Sequence, residues 1–146
     1  MSIRLRIDDE QMVEDFFADT RLISIVAPIK DYSFIWSINY FLGYSFKNAS
    51  DAVLQYSKKG RQYFFNLFEY KMPHRAMTHL LYENQHDGEF LLPEFKHLDF
   101  LWLIQDCSFS EDEFQGLIKI IKNIPHVQFV NEMAHEKIKN KKHLII

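Results

Sequence analysis

Apolar residues recur along this chain with two different periods, and the places where the period changes mark out its elements. Met12, Val13, Phe16 and Phe17 fall at helical spacing, which predicts a short amphipathic helix near 9–19 with acidic residues on its other side. Residues 22–29 form instead a nearly continuous apolar run of strand length, rich in Ile23, Ile25 and Val26 and closed by Pro28 and Lys30. This predicts a largely buried strand. Asp31 then offers an N-cap, residues 32–42 are apolar almost all round, and Gly43 supplies a left-handed stop. The helix 31–42 is therefore expected to be buried on most sides, with Trp36 as its largest side chain and Asn39 as its polar interruption.

From 52 to 104 the pattern is that of strands, with turn signals at Lys58-Lys59-Gly60, Met72-Pro73-His74 and His86-Asp87-Gly88. The expected pieces are 53–57, 62–70, 75–82, 89–92 and 98–104, joined as antiparallel hairpins. Only Asp99 breaks the last run, so 98–104 reads as a central strand buried on both faces. Ser110 with Glu113 three residues later is a capping box, and Phe109 can staple onto Phe114 across it. A helix follows over 110–123 with Phe114, Leu117, Ile118 and Ile121 on its buried stripe, and Pro125 ends it. Beyond it we expect a strand at 127–130, a short helix at 134–139 and a final edge strand at 144–146. The fold class is α+β: one domain spanning 1–146, built on a mainly antiparallel sheet of about five to seven strands with helices near 9–19, 31–42 and 110–123.

Composition supports a folded domain, since 146 residues with 47% hydrophobic and 25% charged side chains fit one core. Fourteen Phe can pack that core without hydrogen-bond partners. The lone Cys107 forms no internal disulfide, and the charged start lacks the apolar region of a signal peptide, which points to the cytoplasm. No apolar run reaches the roughly 18 residues of a membrane span, so no membrane partner is expected. A net charge of −3 disfavours nucleic acid as a partner. That sum hides an asymmetry: residues 1–20 carry two Arg against six acidic groups, and residues 119–146 carry six Lys against two Glu. Either the basic tail meets an acidic partner, or the two ends are solvated faces or lie near each other.

Candidate chemistry concentrates in Leu92-Pro93-Glu94-Phe95-Lys96-His97-Leu98-Asp99-Phe100. This segment resembles the signature that names the IPExxxVDY family of bacterial proteins. Pro93, Glu94 and Asp99 match outright, while Leu92, Leu98 and Phe100 stand for Ile, Val and Tyr. Members are similar in length and begin with a strand followed by a segment like Asp31-Tyr32, Trp36 and Asn39 here. The resemblance thus covers about 20–146, leaves the helix 9–19 as an extension, and implies a candidate region without an assigned activity.

Two roles are open for that region. Pro93 fixes its own φ and makes Leu92 extended, so the chain turns sharply, and Glu94 and Asp99 can satisfy the amides such a turn leaves unpaired. Alternatively, Glu94, His97 and Asp99 converge as a general acid, base or metal site, with Tyr32, Trp36 and Asn39 lining the pocket. An extended segment puts His97 and Asp99 on one face and Glu94 on the other unless the turn re-aims it. Seven His invite a metal, but none has HExxH spacing and one Cys precludes a multi-thiolate site, so neither metal nor cofactor is expected. His74 with His79, and His135 with Glu136, read as surface residues. No nucleophile frame surrounds Cys107, which reads as a buried spectator thiol, and no glycine-rich phosphate loop is present. Lys59-Gly60-Arg61-Gln62-Tyr63-Phe64-Phe65 resembles an RNA-recognition strand only in composition, because its spacing does not fit. The surplus of aromatic residues without a catalytic frame leads to a non-catalytic interaction module, a homodimer or the binder of a protein partner, using an aromatic strand face or the groove beside Pro93. The alternative is a small-molecule binder or hydrolytic enzyme using Glu94, His97 and Asp99.

Overall fold

The computed structural model describes residues 3–49, 54–58 and 61–145. In chain order its elements are α1 (Ile3–Phe17), β1 (Arg21–Val26), α2 (Asp31–Leu42), β2 (Lys47–Asn48), β3 (Leu54–Lys58), β4 (Arg61–Phe65), β5 (Leu67–Lys71), β6 (Thr78–Glu83), β7 (Gln85–His86), β8 (Glu89–Phe90), β9 (Phe100–Gln105), α3 (Glu111–Lys122) and β10 (Phe129–Met133). Short 3₁₀ turns cover Pro93–Phe95, His135–Lys137 and Lys141–Leu144. Six strands form one antiparallel sheet in the order β10-β1-β9-β6-β5-β2, while β3–β4 and β7–β8 are separate hairpins. This is the expected α+β fold. Strand β9 lies inside the sheet between β1 and β6, with Trp102 opposite Ile23 on one side and Leu81 on the other.

Side chains alternate across a strand, so a sheet covered on both faces builds two cores. On the first face Ile23, Ile25, Leu81, Phe100, Trp102 and Ile104 pack under Phe34 and Ile38 of α2 and Phe114, Leu117 and Ile121 of α3. On the second, Leu22, Leu80, Tyr82, Leu101 and Leu103 meet Phe17 of α1 and Ile138 and Leu144 of the C-terminal segment. Each such buried side chain contributes at most about 1.5–3 kcal/mol of transfer free energy. The unbroken apolar run in β9 is the sequence image of this double burial.

Local chemistry sets the element ends. Ser110 Oγ accepts from the Glu113 amide at 3.1 Å and the Glu113 carboxylate accepts from the Ser110 amide at 3.0 Å, which is the capping box read from sequence. Gly43 ends α2 with φ 67, as its lack of a Cβ allows. The β7–β8 turn needs two positive φ values and has them at Asp87 (φ 53) and Gly88 (φ 78).

Several expectations are corrected. The first helix begins at Ile3 rather than 9, because no Gly or Pro interrupts residues 3–17. Asp31 is the first helical residue and Lys30 the flanking one, although the Asp31 carboxylate does accept from the Tyr32 amide at 2.7 Å. The run 62–70 is divided at Asn66 into β4 and β5, and the central strand starts at Phe100 rather than 98. The strand expected at 127–130 runs Phe129–Met133 instead, and the helix expected at 134–139 is a single 3₁₀ turn. The tail is no edge strand over its described part: Lys141–Leu144 is a 3₁₀ turn, Leu144 is buried in the second core, and Tyr82 Oη donates to the Leu144 carbonyl at 2.6 Å. An open sheet face gives an apolar tail more burial than an edge does. Val53, Lys59, Gly60 and Ile146 lie outside the described residues.

The largest departure concerns α2. It rests on the sheet through Phe34, Ile35 and Ile38, with Leu42 partly buried against the same core, so the opposite face, with Tyr32, Trp36, Tyr40 and Phe41, is exposed. A helix on one side of a sheet buries one stripe, whatever the hydrophobicity of the rest. His79, expected at the surface, is also misplaced by that reading, for it is fully buried in β6, while His74 is exposed.

Candidate interaction site

Pro93 occupies the first position of its 3₁₀ turn, where its missing N–H costs nothing, and Leu92 before it is extended. The buried Asn84 ties this turn together, donating to the Phe95 and Leu98 carbonyls and accepting from the Leu92 amide, each at 2.9 Å. Glu94 reaches the C-terminal segment. Its carboxylate accepts from the Lys139 amide at 2.8 Å, the Asn140 amide at 2.9 Å and Asn140 Nδ2 at 2.8 Å. Partial burial acts to raise the Glu94 pKa, but these hydrogen bonds outweigh it and hold the carboxyl below its usual value.

Asp99 faces elsewhere. Its Oδ2 accepts from the Ala27 amide at 2.8 Å, just past the end of β1, and burial raises its pKa against that bond. His97 is exposed and lies edge-on to Phe95, with ring centroids 6.3 Å apart. Glu94 and Asp99 thus accept from backbone amides of different segments, in the manner of the first of the two roles, and the trio of the alternative role is not drawn to one point. Asn39 is also taken up by backbone: its Nδ2 donates to the Phe46 carbonyl at 3.1 Å and its Oδ1 accepts from the Phe46 amide at 2.9 Å, fixing the loop after α2.

Asp99 instead borders a cavity of about 500 Å³ with Asp31, Tyr32, Asn66, Glu83 and His86. Asn66 Nδ2 donates to Asp31 Oδ2 at 2.7 Å, and His86 Nδ1 lies 3.2 Å from Glu83 Oε1. Burial, then the neighbouring Asp31, push the Glu83 carboxyl up to about 7, against an amide bond from Asn66 and the nearby His86. Sequence reasoning missed Asp31, Asn66 and Glu83 as one group. Asn66, polar between the apolar pairs Phe64-Phe65 and Leu67-Phe68, was the one local sign, and the rest follows from strand pairing. Among the described residues no group of three or more His, Cys, Asp or Glu is arranged to hold a metal.

Tyr32 belongs both to this cavity and to the outer face of α2. Along that face Tyr32, Trp36 and Tyr40 are 68%, 66% and 68% exposed and follow one another at one helical turn plus a fraction. Trp36 and Tyr40 stack with centroids 5.2 Å apart and planes 5° from parallel, and Phe41 meets Tyr40 edge-on at 5.2 Å. Among the described side chains of the strand face 63–70, Phe65 and Phe68 are buried and Tyr70 partly so, while Phe64 is exposed; the Tyr63 side chain lies outside the described ones. The C-terminal segment lies beside α1, since Val13 and Lys139, Lys141 and Lys142 border one cavity of about 330 Å³, with Lys141 Nζ 6.0 Å above the Phe17 ring.

No helix among the described residues is long and apolar enough to cross a membrane. No family model matches the chain, and no curated protein matches it either.

Proposed function

We propose that the chain is a non-catalytic cytoplasmic interaction module, working as a homodimer or with another protein partner, and that its contact surface is the outer face of α2. One observation carries this: three large aromatic rings, each about two-thirds exposed, stand in line on a single rigid helix. Such rings bring roughly 150–250 Å² of burial each at low entropic cost, and exposed apolar patches of this kind mark interaction sites. Membership of the IPExxxVDY family belongs to the same proposal. Pro93, Glu94 and Asp99 here build the turn, anchor the C-terminal segment and close the end of β1, duties that a signature can carry without catalysis.

Replacing Trp36 and Tyr40 together by Ala tests it. Association, followed by light scattering of the pure protein and by a photo-crosslinker placed at Phe41, is lost while thermal unfolding is unchanged. Association that survives the double substitution refutes the proposal, as does a monomeric native chain that gives no crosslink from α2.

A second reading, small-molecule binding or hydrolysis, draws on the cavity beside Tyr32, where the Glu83 carboxyl at about 7 is placed to give or take a proton near neutral pH. Glu83 with Asp99 then replaces the trio expected from sequence. A compound whose thermal stabilisation of the protein survives Asp99→Asn and Glu83→Gln does not bind there.

A further inference from the structure

The exposed rings of α2 read the same in both directions: Tyr32, Trp36 and Tyr40 are spaced four and four residues apart. A two-fold axis through Trp36, perpendicular to the helix, lays Trp36 on its own symmetry mate and Tyr32 on Tyr40 of a second copy. Self-complementarity of this sort is what an isologous interface requires. The surroundings of the helix have the same property in charge. At its N-terminal end the cavity beside Tyr32 carries Asp31, Asp87 and Asp99, with Glu83, against Lys30 and His86. At its C-terminal end the surface beside Gly43 carries Lys47 and Lys71 against Glu69. The two ends are about 18 Å apart, from 12 residues at 1.5 Å each. An antiparallel pairing brings the lysine end of one copy over the carboxylate end of the other, whereas a parallel pairing brings like charges together.

Resting on the reading that α2 is the contact surface, we infer that its partner is a second copy of this chain, docked antiparallel with Trp36 on the two-fold axis and Lys47 of each copy facing the Asp87 side of the other. Lys47 and Asp87 are both exposed, so they are available to such a contact without disturbing either core.

Charge reversal separates this geometry from simple stickiness. Asp87→Lys and Lys47→Glu each turn both symmetry-related contacts repulsive, so in sedimentation equilibrium each alone weakens self-association by roughly five- to thirtyfold. An equimolar mixture of the two variants restores native affinity, because every contact in the mixed dimer then joins unlike charges. Asp87 has φ 53, a conformation that Asn tolerates well, so Asp87→Asn serves as a milder variant with a smaller loss if Asp87→Lys disturbs the turn. Single variants that associate normally, or a mixture without rescue, overturn the antiparallel seat while leaving α2 as the contact surface. A native chain that is monomeric yet crosslinks from Phe41 to a different protein overturns the second copy as partner and leaves the module reading standing. A native dimer that survives loss of Trp36 and Tyr40 overturns both.

Discussion

His79 gives the fold a measurable dependence on pH. Trp102 Nε1–H donates to His79 Nδ1 at 2.9 Å, which places the imidazole proton on Nε2, and Nε2 has no hydrogen-bond partner. Around the ring lie Tyr44 at 5.2 Å, Tyr70 at 5.8 Å, Phe109 at 6.0 Å and Phe46 at 6.2 Å between centroids. Burial in this setting lowers the His79 pKa to about 4. The unfolded chain takes up a proton near pH 6.5 and the folded protein does not, so this contribution is complete above 6.5 and is lost as pH falls towards 4. Between pH 7.5 and 4.5 the loss is about 2.5 kcal/mol, at about 1.36 kcal/mol per pKa unit. Replacing His79 by Phe removes that titration but leaves the buried Trp102 N–H unpaired, a cost of about 1–3 kcal/mol. The variant is therefore less stable than the native protein at pH 7.5, and the gap closes or reverses by pH 4.5. Glu83 acts in the opposite sense over the same range, but it is present in both proteins and cancels in the difference. Tyr44, pushed up to about 12 by burial, does not titrate there. Urea unfolding at half-unit pH steps measures the gap. A difference between native and variant that stays constant from pH 7.5 to 4.5 refutes the assignment of a neutral, buried His79.

Glu94→Ala cuts three hydrogen bonds to residues 139 and 140 and is expected to cost about 2–3 kcal/mol, with the largest rise in amide exchange at 138–145. Unchanged exchange there means that Glu94 does not anchor the segment. Because its folded pKa is depressed, the stability Glu94 supplies is present above its unfolded value near 4.5 and is lost as pH falls through the folded one. Glu83 is the reverse case: with its carboxyl at about 7, stability is lost as pH rises from 4.5 to 7. Glu83→Gln should therefore be more stable than the native protein at pH 8, by about 1–2 kcal/mol after allowance for solvent screening, and lose that advantage by pH 5. Thermal unfolding at both pH values decides it, and an advantage independent of pH counts against a Glu83 carboxyl raised by burial and by its acidic neighbour.

The elements whose origin is local were legible from sequence. The capping box at Ser110, the left-handed Gly43 and the turn at Asp87-Gly88 each depend on residues within four positions of one another, and each is in place. Strand β9 was legible for another reason, since burial on both faces writes a continuous apolar run. Elements whose extent depends on distant partners were read less well. The division at Asn66 follows from its bond to Asp31, 35 residues away, and the fate of the tail follows from an open sheet face beside Tyr82.

The candidate site marks the same boundary. Periodicity showed that α2 is apolar on nearly every side, but hydrophobicity counts no neighbours, and only the sheet decided that Phe34, Ile35 and Ile38 would be covered while Tyr32, Trp36 and Tyr40 would not. The motif at Pro93 was visible as a string of residues. That Glu94 and Asp99 turn to different backbone amides was settled by segments more than 40 residues away along the chain. Local sterics and the alternation of apolar residues are enough to set the class of fold, the caps and turns, and the double burial of one strand. Which apolar and charged groups stay open to a partner was decided by tertiary structure, because exposure is a property of what packs against a residue and not of the residue.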